Sequence, residues 1–409
     1  MHSAHEGALG HNMRVLLGTA YYESHNGGIE IVAGHLAREL RLCGCHVTWA
    51  ASDVTPPPAL NATFGEALPL ATWNITERRL GLPLPLPSLR SIARIIRAVR
   101  DSDALLLHDA LYPTNIVAML ASRWLGKPVV LVQHIGAIEY RNPITRRLMS
   151  AATALITRPI LAAANQVVFI SEAVKLAFDD VRYKAPPQLV FNGVDPDTFK
   201  PPAHNFDRAY VRAKLGLPAD RKTVLFVGRF VEKKGLYIIE QLARLRPQTI
   251  FALAGWGPIN PRSWGLPNVC VLSDLNGPTL APLYQASDFF LLPSVGEGFP
   301  LVLQEALGCG LPVICAAETA RADPAIAEMV VGVPINADSA QTATDVSQTI
   351  DRLMMTAEEV HGGAAAQMRH DFVRRRYNWS AAARTYEQML RSLIAWVSDR
   401  DATVAVTSR

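Results

Sequence analysis

Apolar positions along the 409-residue chain alternate between short uninterrupted runs and longer stretches at helical spacing. In the first half, the run Arg14–Gly18 leads into a turn containing Gly27 and Gly28. Ile29, Val32, Ala33, Leu36, Ala37 and Leu40 then recur on one helical face, and Gly44 stands where a C-terminal cap belongs. Segments 47–50, 104–107, 129–132 and 167–170 repeat the strand signal between helix-compatible stretches. The second half restarts with Thr223–Val227, a turn at Gly228 and an amphipathic stretch over Leu236–Leu245. Further strands are predicted at Ile250–Ala254, Val269–Leu272, Phe289–Leu292 and 313–314. Runs that are apolar throughout belong to strands covered on both faces, so the pattern predicts an α/β fold. Two doubly wound, Rossmann-like domains would face a cleft at the C-terminal ends of their strands.

A chain of this length exceeds the roughly 250–300 residues that one core usually serves. The proline-bearing stretch 193–202 separates the two halves, which gives an N-terminal domain over 13–195, a C-terminal domain over 196–378 and a last helical segment over 379–400. Residues 1–12 are polar and precede Met13, and they read as a disordered extension. The five cysteines form no C-x-x-C pair, which argues against a disulfide framework or a zinc knuckle and for free thiols in a reducing compartment. The most apolar long stretch, 148–170, is interrupted by Arg158 and Pro159, so no membrane span and a cytoplasmic location are expected.

The net charge of +4 is too small to suggest a nucleic-acid partner. It is unevenly spread, with 12 Lys or Arg against 4 Asp or Glu between Arg78 and Arg158. Within that region, Ser88 to Arg100 reads as a basic amphipathic helix. Leu89, Ile92, Ala93, Ile95, Ile96 and Val99 form its apolar stripe, opposite Arg90, Arg94, Arg97 and Arg100. Such a helix suits either an ordinary sheet-covering role or peripheral contact with an anionic membrane. Arg141, Arg146 and Arg147 add to the local charge.

The densest chemistry lies in segment 293–310, which reads P-S-V-G-E-G-F-P-L-V-L-Q-E-A-L-G-C-G. The turn Gly298, Phe299, Pro300 opens a helix, where backbone amides and the helix dipole suit an anion such as phosphate. Glu297 and Glu305 lie eight positions apart, about 12 Å along a helix at 1.5 Å per residue, a spacing suited to two ends of an elongated ligand.

This E-x7-E arrangement resembles the signature of the retaining nucleotide-sugar glycosyltransferases of family 4, which have the GT-B fold. Other segments match that family in order. Gly27, Gly28, Ile29 and Glu30 resemble its glycine pair, and Phe191 through Asp195 its N-G-V-D segment. Gly228, Arg229 and Phe230 with Lys234 and Gly235 resemble its phosphate-binding G-R…K-G, and Gly255 through Pro258 its G-x-G-P turn. Tyr377 through Ser380 resemble its terminal tryptophan segment.

The resemblance implies a nucleotide-sugar donor gripped at its pyrophosphate by Arg229 and Lys234, with no metal and no other cofactor. Gly28 and the turn Gly298, Phe299, Pro300 would meet donor phosphate and sugar. Glu297 would bond sugar hydroxyls, Glu305 the ribose, and His134 the sugar near its anomeric carbon. A last helix returning to the first domain is also implied. His108 has no counterpart in this argument and reads as packing. The implied activity is retaining transfer of a hexosyl group, with departure and attack on one face of the sugar, to a saccharide or lipid-linked acceptor in envelope or polysaccharide synthesis.

One departure stands out. Segment 318–324 reads E-T-A-R-A-D-P where the family usually carries a glycine pair. A catalytically silent nucleotide-binding or scaffold protein is therefore an alternative. A dinucleotide-dependent dehydrogenase fits the fold class but lacks G-x-G-x-x-G after the first strand.

Overall fold

The computed structural model describes residues 12–58, 65–75, 77, 84–136, 143–356 and 362–407. Most of the expected N-terminal extension, and Arg141, lie outside the described residues. The first sheet contains β1 (Arg14–Gly18), β2 (His46–Ser52) and β3 (Glu66–Leu70). A two-stranded antiparallel ribbon of β4 (Thr72–Trp73) and β5 (Leu86–Pro87) follows outside that sheet. The first sheet then resumes with β6 (Ala104–His108), β7 (Val129–Gln133), β8 (Gln166–Phe169) and β9 (Gln188–Leu189). Its spatial order is β3-β2-β1-β6-β7-β8-β9, and every pairing in it is parallel.

The second sheet contains β10 (Thr223–Val227), β11 (Ile250–Ala254), β12 (Val269–Leu272), β13 (Phe289–Leu292), β14 (Val313–Ala316) and β15 (Val330–Val333). Its order is β12-β11-β10-β13-β14-β15, again parallel throughout. Strand order reverses between β1 and β6 in the first sheet and between β10 and β13 in the second. A crevice opens outside the carboxyl ends of the strands at such points. Strands β3, β9 and β15 were not anticipated: β3 is an edge strand that carries Pro69, β9 is an edge strand of two residues, and the apolar run of β15 is interrupted in sequence by Gly332.

Alternation along the strands divides the first domain into two cores. Leu17 joins Trp49, Val130 and Val168 on one face, whereas Leu16 joins Leu105, Leu107 and Leu131 on the other. The first face is covered by α1 (Gly28–Leu42), the second by α2 (Leu89–Asp101) and α3 (Pro113–Leu125). Helix α1 stops at the anticipated cap: Gly44 adopts φ +83° and its N–H bonds Arg41 O, while Cys45 N–H bonds Leu40 O. Leu17 is fully buried, and truncating it to alanine costs about 2–5 kcal/mol by transfer and cavity terms.

Helix α2 is shorter at its start than expected, because the Ser88 hydroxyl caps it by accepting from Ser91 N–H. Its buried side carries Ser91, Ile95 and Val99, whereas Leu89, expected in the apolar stripe, is 83% exposed beside Arg90. The second domain contributes α4 (Leu236–Leu245) and α5 (Leu301–Gly308). The last helix, α6 (Trp379–Thr407), returns to the first domain. Trp379 stacks on His35 at 4.7 Å, the Ser380 hydroxyl donates to Glu39 at 2.6 Å, and Tyr386 and Leu390 complete the core above α1.

Candidate active site

Both crossover points carry polar side chains. At the end of β10, Gly228 and Arg229 begin a loop that reaches Lys234 and turns into α4 through Gly235. Gly235 has φ +75°, and a Cβ there would stand 2.4 Å from Pro293 O, so only glycine lets this loop press against the end of β13. Val295 N–H donates to Lys233 O at 2.9 Å and laces the two loops together. The result is that Lys234 Nζ meets Glu297 Oε1 at 2.9 Å, with both side chains 14% exposed. Burial alone would raise the Glu297 carboxyl. Lys234 and Lys233 outweigh it and hold the group below its ordinary range.

The Arg229 guanidinium carbon lies over the Trp256 ring, 4.9 Å from its centroid, a cation–π contact supplied by the turn after β11. Its Nε is buried without a hydrogen-bond partner, so the guanidinium retains donor capacity. Sequence reading placed Trp256 only in a turn; an aromatic between two glycines beside a strand end was the available signal.

Glu297 precedes α5 rather than lying on it, because the helix begins only at Leu301. The separation of about 12 Å drawn from helical rise therefore does not apply to Glu297 and Glu305. Pro300 is the residue that precedes the first helical turn rather than part of it, and having no N–H it offers no amide to an anion. Gly298 and Phe299 are the two residues of that turn with N–H groups. The Phe299 side chain is buried against Phe191 and Tyr377, so only its backbone faces a ligand.

Glu305 is on the first turns of α5 and accepts a hydrogen bond from the Tyr284 hydroxyl at 2.8 Å. Burial pushes its carboxyl up to about 7, against the opposing effect of that bond.

Gly298 also fixes the approach of the two domains. A Cβ at this position would lie 2.4 Å from His134 O and 2.9 Å from Ile170 Cδ1. His134 thus sits directly across the cleft from the Glu297 turn. Its imidazole is buried, however, and its Nε2 is 2.9 Å from His108 Nδ1. His108 is therefore not mere packing; the two rings form a buried pair at the ends of β6 and β7. Burial, and for His134 the neighbouring His108, hold both below the usual imidazole range, so both are neutral at pH 7.

Asp109 follows His108 in a left-handed conformation, φ +69°, with one carboxylate oxygen bonded by Gln133 Nε2 at 3.2 Å and the other unpartnered. Gly28 is the first residue of α1, at the end of the β1 turn.

The altered segment 318–324 folds as a short helix, Ala317–Ala320, and a turn at Pro324–Ile326. Buried Asp323 accepts from Arg376 Nη2 at 2.9 Å and from the Tyr377 hydroxyl at 2.7 Å. Asp323 thus anchors the segment leading to α6, while the backbone carbonyl of Ala322 accepts from Glu172 N–H of the first domain at 2.9 Å.

Two family models match. "Glycosyltransferase Family 4" covers residues 26–198, and "Glycosyl transferases group 1" covers 221–353. The chain is a group 1, family 4 glycosyltransferase. This glycosyltransferase is 27% identical over 402 residues to a D-inositol 3-phosphate glycosyltransferase of Thermobispora bispora, covering 87% of this chain and 88% of that one. A D-inositol 3-phosphate glycosyltransferase of Mycobacterium avium is 37% identical over 142 residues, 32% of each chain. Among solved structures, sucrose-phosphate synthase from Thermosynechococcus elongatus superposes with TM-score 0.73 at 20% identity, over 94% of this chain and all of that one. The Anabaena protein Alr3699/HepE in complex with UDP-glucose superposes with TM-score 0.68 at 18% identity, over 93% of this chain and all of that one. These likenesses establish the GT-B fold of the glycosyltransferase, with its cleft between two Rossmann-like domains.

Proposed function

We propose that the enzyme is a retaining, metal-independent transferase that moves a hexosyl group from a UDP- or GDP-linked sugar to a saccharide or lipid-linked acceptor in envelope or polysaccharide synthesis. The observation that carries this reading is the placement of Arg229 and Lys234 on one loop, beside Glu297 and the Gly298 turn. Breaking the bond from the anomeric carbon to the phosphate oxygen leaves negative charge on a diphosphate, which needs fixed cations. Arg229 supplies a planar fork and Lys234 a point charge, so the protein itself provides the neutralisation that a metal would otherwise give.

Glu297 is held ionised beside Lys234, where it accepts sugar hydroxyls; it is not assigned as a covalent nucleophile. The new bond forms between the anomeric carbon and an acceptor oxygen on the face the diphosphate leaves, and the acceptor's proton passes to the departing phosphate oxygen. Glu305 accepts ribose hydroxyls. The Anabaena relative holding UDP-glucose supports a UDP-sugar among the donors tested first.

For a lipid-linked acceptor, the exposed side of α2 is the contact with an anionic membrane at its cytoplasmic face. Leu89, Arg90, Arg94, Arg97 and Arg100 are exposed there, and among the described residues no helix is long and apolar enough to cross a bilayer. Cosedimentation with anionic vesicles at low salt is expected; none would remove the membrane contact from the proposal.

The deciding experiment is thermal shift against UDP, GDP, ADP and their sugar conjugates, with magnesium or with chelator. One nucleotide should raise the melting temperature equally in both. A shift that requires magnesium would overturn metal independence.

A further inference from the structure

Arg229 and Lys234, the two cations assigned to the donor diphosphate, are held by different means. Lys234 is paired with the Glu297 carboxylate. Arg229 forms no ion pair and no side-chain hydrogen bond among the described residues; instead the Trp256 ring centroid lies 4.9 Å from its guanidinium carbon. Trp256 is 50% exposed and stands outside the buried cluster of the second domain, so packing of the core does not account for a large aromatic at this position.

The backbone fixes the ring over the guanidinium. Gly228 N–H donates to Ala254 O at 3.0 Å, Phe230 N–H to Trp256 O at 2.6 Å and Ile259 N–H to Phe230 O at 3.0 Å, so the turns after β10 and β11 run side by side. The glycines on either side of Trp256 permit that approach: a Cβ on Gly255 would stand 1.9 Å from Gly228 O, and one on Gly257 2.5 Å from Phe230 O. Both ends of residue 256 are therefore pinned to the loop that carries Arg229. An aromatic face attracts a cation through its quadrupole and carries no charge to cancel it. A carboxylate in the same place would accept N–H bonds from the guanidinium and neutralise it before a ligand arrived.

We infer that Trp256 is a positioning residue for the donor diphosphate: through the cation–π contact it orients Arg229 toward the leaving group and, unlike a carboxylate, leaves the arginine's positive charge uncancelled. The inference rests on the proposed transfer reaction, in which Arg229 grips the diphosphate, and adds a residue that acts on the diphosphate only through Arg229. With Lys234 compensated by Glu297, Arg229 is the one of the two cations whose charge no carboxylate offsets among the described residues. A diphosphate that gains negative charge as it departs draws most on such a charge. Without the ring, the arginine side chain would be ordered only when the ligand binds, and the entropy of that ordering is subtracted from affinity.

The test is calorimetric titration of the full chain with whichever of UDP, GDP or ADP raises its melting temperature, in a double-mutant cycle of Trp256 and Arg229. Trp256→Ala is expected to weaken nucleotide binding by about tenfold while the melting temperature stays within a few degrees of wild type, because the ring lies outside the core. In the Arg229→Ala background the same substitution should change affinity by less than about twofold, since the group that Trp256 orients is gone. Trp256→Phe, which keeps an aromatic face, should restore most of the binding; Trp256→Leu, which keeps apolar bulk alone, should not. Three results overturn the inference: wild-type affinity in Trp256→Ala, an equal loss with and without Arg229, and no better rescue by phenylalanine than by leucine. The second of these would mean that the ring meets the nucleotide directly. If Arg229→Ala alone leaves nucleotide affinity unchanged, or if no nucleotide binds, what fails is instead the donor reading on which the inference rests.

Discussion

Lys234 and Glu297 come from loops at the ends of two adjacent strands, β10 and β13, and form a 2.9 Å ion pair with little exposure. Each is the other's compensation for burial, and each is also assigned to the donor. Removing one leaves a buried charge uncompensated, at a cost of about 3–5 kcal/mol. Lys234→Ala should therefore lower the melting temperature and reduce kcat/KM by about a hundredfold or more, since a charge on the leaving group's path is lost. The double variant Lys234→Ala with Glu297→Ala should recover part of the melting temperature and none of the turnover. Thermal unfolding and steady-state kinetics on the same preparations check both; recovery of turnover in the double variant would remove the two residues from the chemistry.

Glu305 gives a pH signature. Its folded carboxyl is pushed up to about 7 by burial, from an ordinary value of 4.5. Between those values the folded chain binds the proton and the unfolded chain does not, so this group's contribution to stability falls as pH rises from about 4.5 to 7. Glu305→Gln keeps the shape and cannot ionise. The melting temperature of the wild type relative to this variant should decline from pH 5 to pH 8. Ribose hydroxyls that bond the ionised form would also release a proton on nucleotide binding near pH 7, detectable by calorimetry in buffers of different ionisation enthalpy and absent in Glu305→Gln.

Much of this arrangement was legible in the sequence because strands buried on both faces are uniformly apolar. Ile250–Ala254 and Phe289–Leu292 have the bounds their apolar runs predict. The order of the glycine-bearing turns likewise pointed to the cleft. Edge strands such as Glu66–Leu70 were missed because an edge needs no fully buried run, and this one carries Pro69 and mostly half-buried side chains. The site was less legible where a residue's partner is distant in the chain. Nothing local to Glu297 announces Lys234, and nothing local to Glu305 announces Tyr284, 21 positions away. The contact between His25 and Glu77 escaped notice for the same reason, since residues 52 positions apart meet only in the fold.

The pair His108 and His134 predicts a mutational asymmetry. His134 presents its backbone carbonyl to Gly298 and its Nε2 to His108, so the orientation of its ring depends on the bond between them. His108→Phe fills the volume but leaves a buried nitrogen of His134 unpaired, at about 1–3 kcal/mol. A melting temperature several degrees lower is expected, with kcat reduced more than donor affinity. His108→Asn, which can keep one hydrogen bond, should lie between that variant and the wild type. Equal donor-binding and kcat losses in His108→Phe would mean that His134 acts through the fold alone.

Gly298 offers the sharpest test of the cleft itself. Its backbone conformation is one that any residue adopts, so alanine introduces no local strain. The added Cβ, however, would fall 2.4 Å from His134 O and 2.9 Å from Ile170 Cδ1, both in the opposite domain. Backbone oxygen cannot yield as a flexible side chain does, so Gly298→Ala must push the two domains apart by tenths of an ångström or more at this contact. Catalysis that depends on groups from both domains is sensitive to such displacement, about a hundredfold per ångström. Gly298→Ala should therefore keep the melting temperature within a few degrees of wild type while kcat falls by about tenfold or more, a split read by thermal unfolding and single-turnover kinetics. Wild-type turnover in this variant would mean that the contact between Gly298 and His134 is not part of the geometry in which the sugar is transferred.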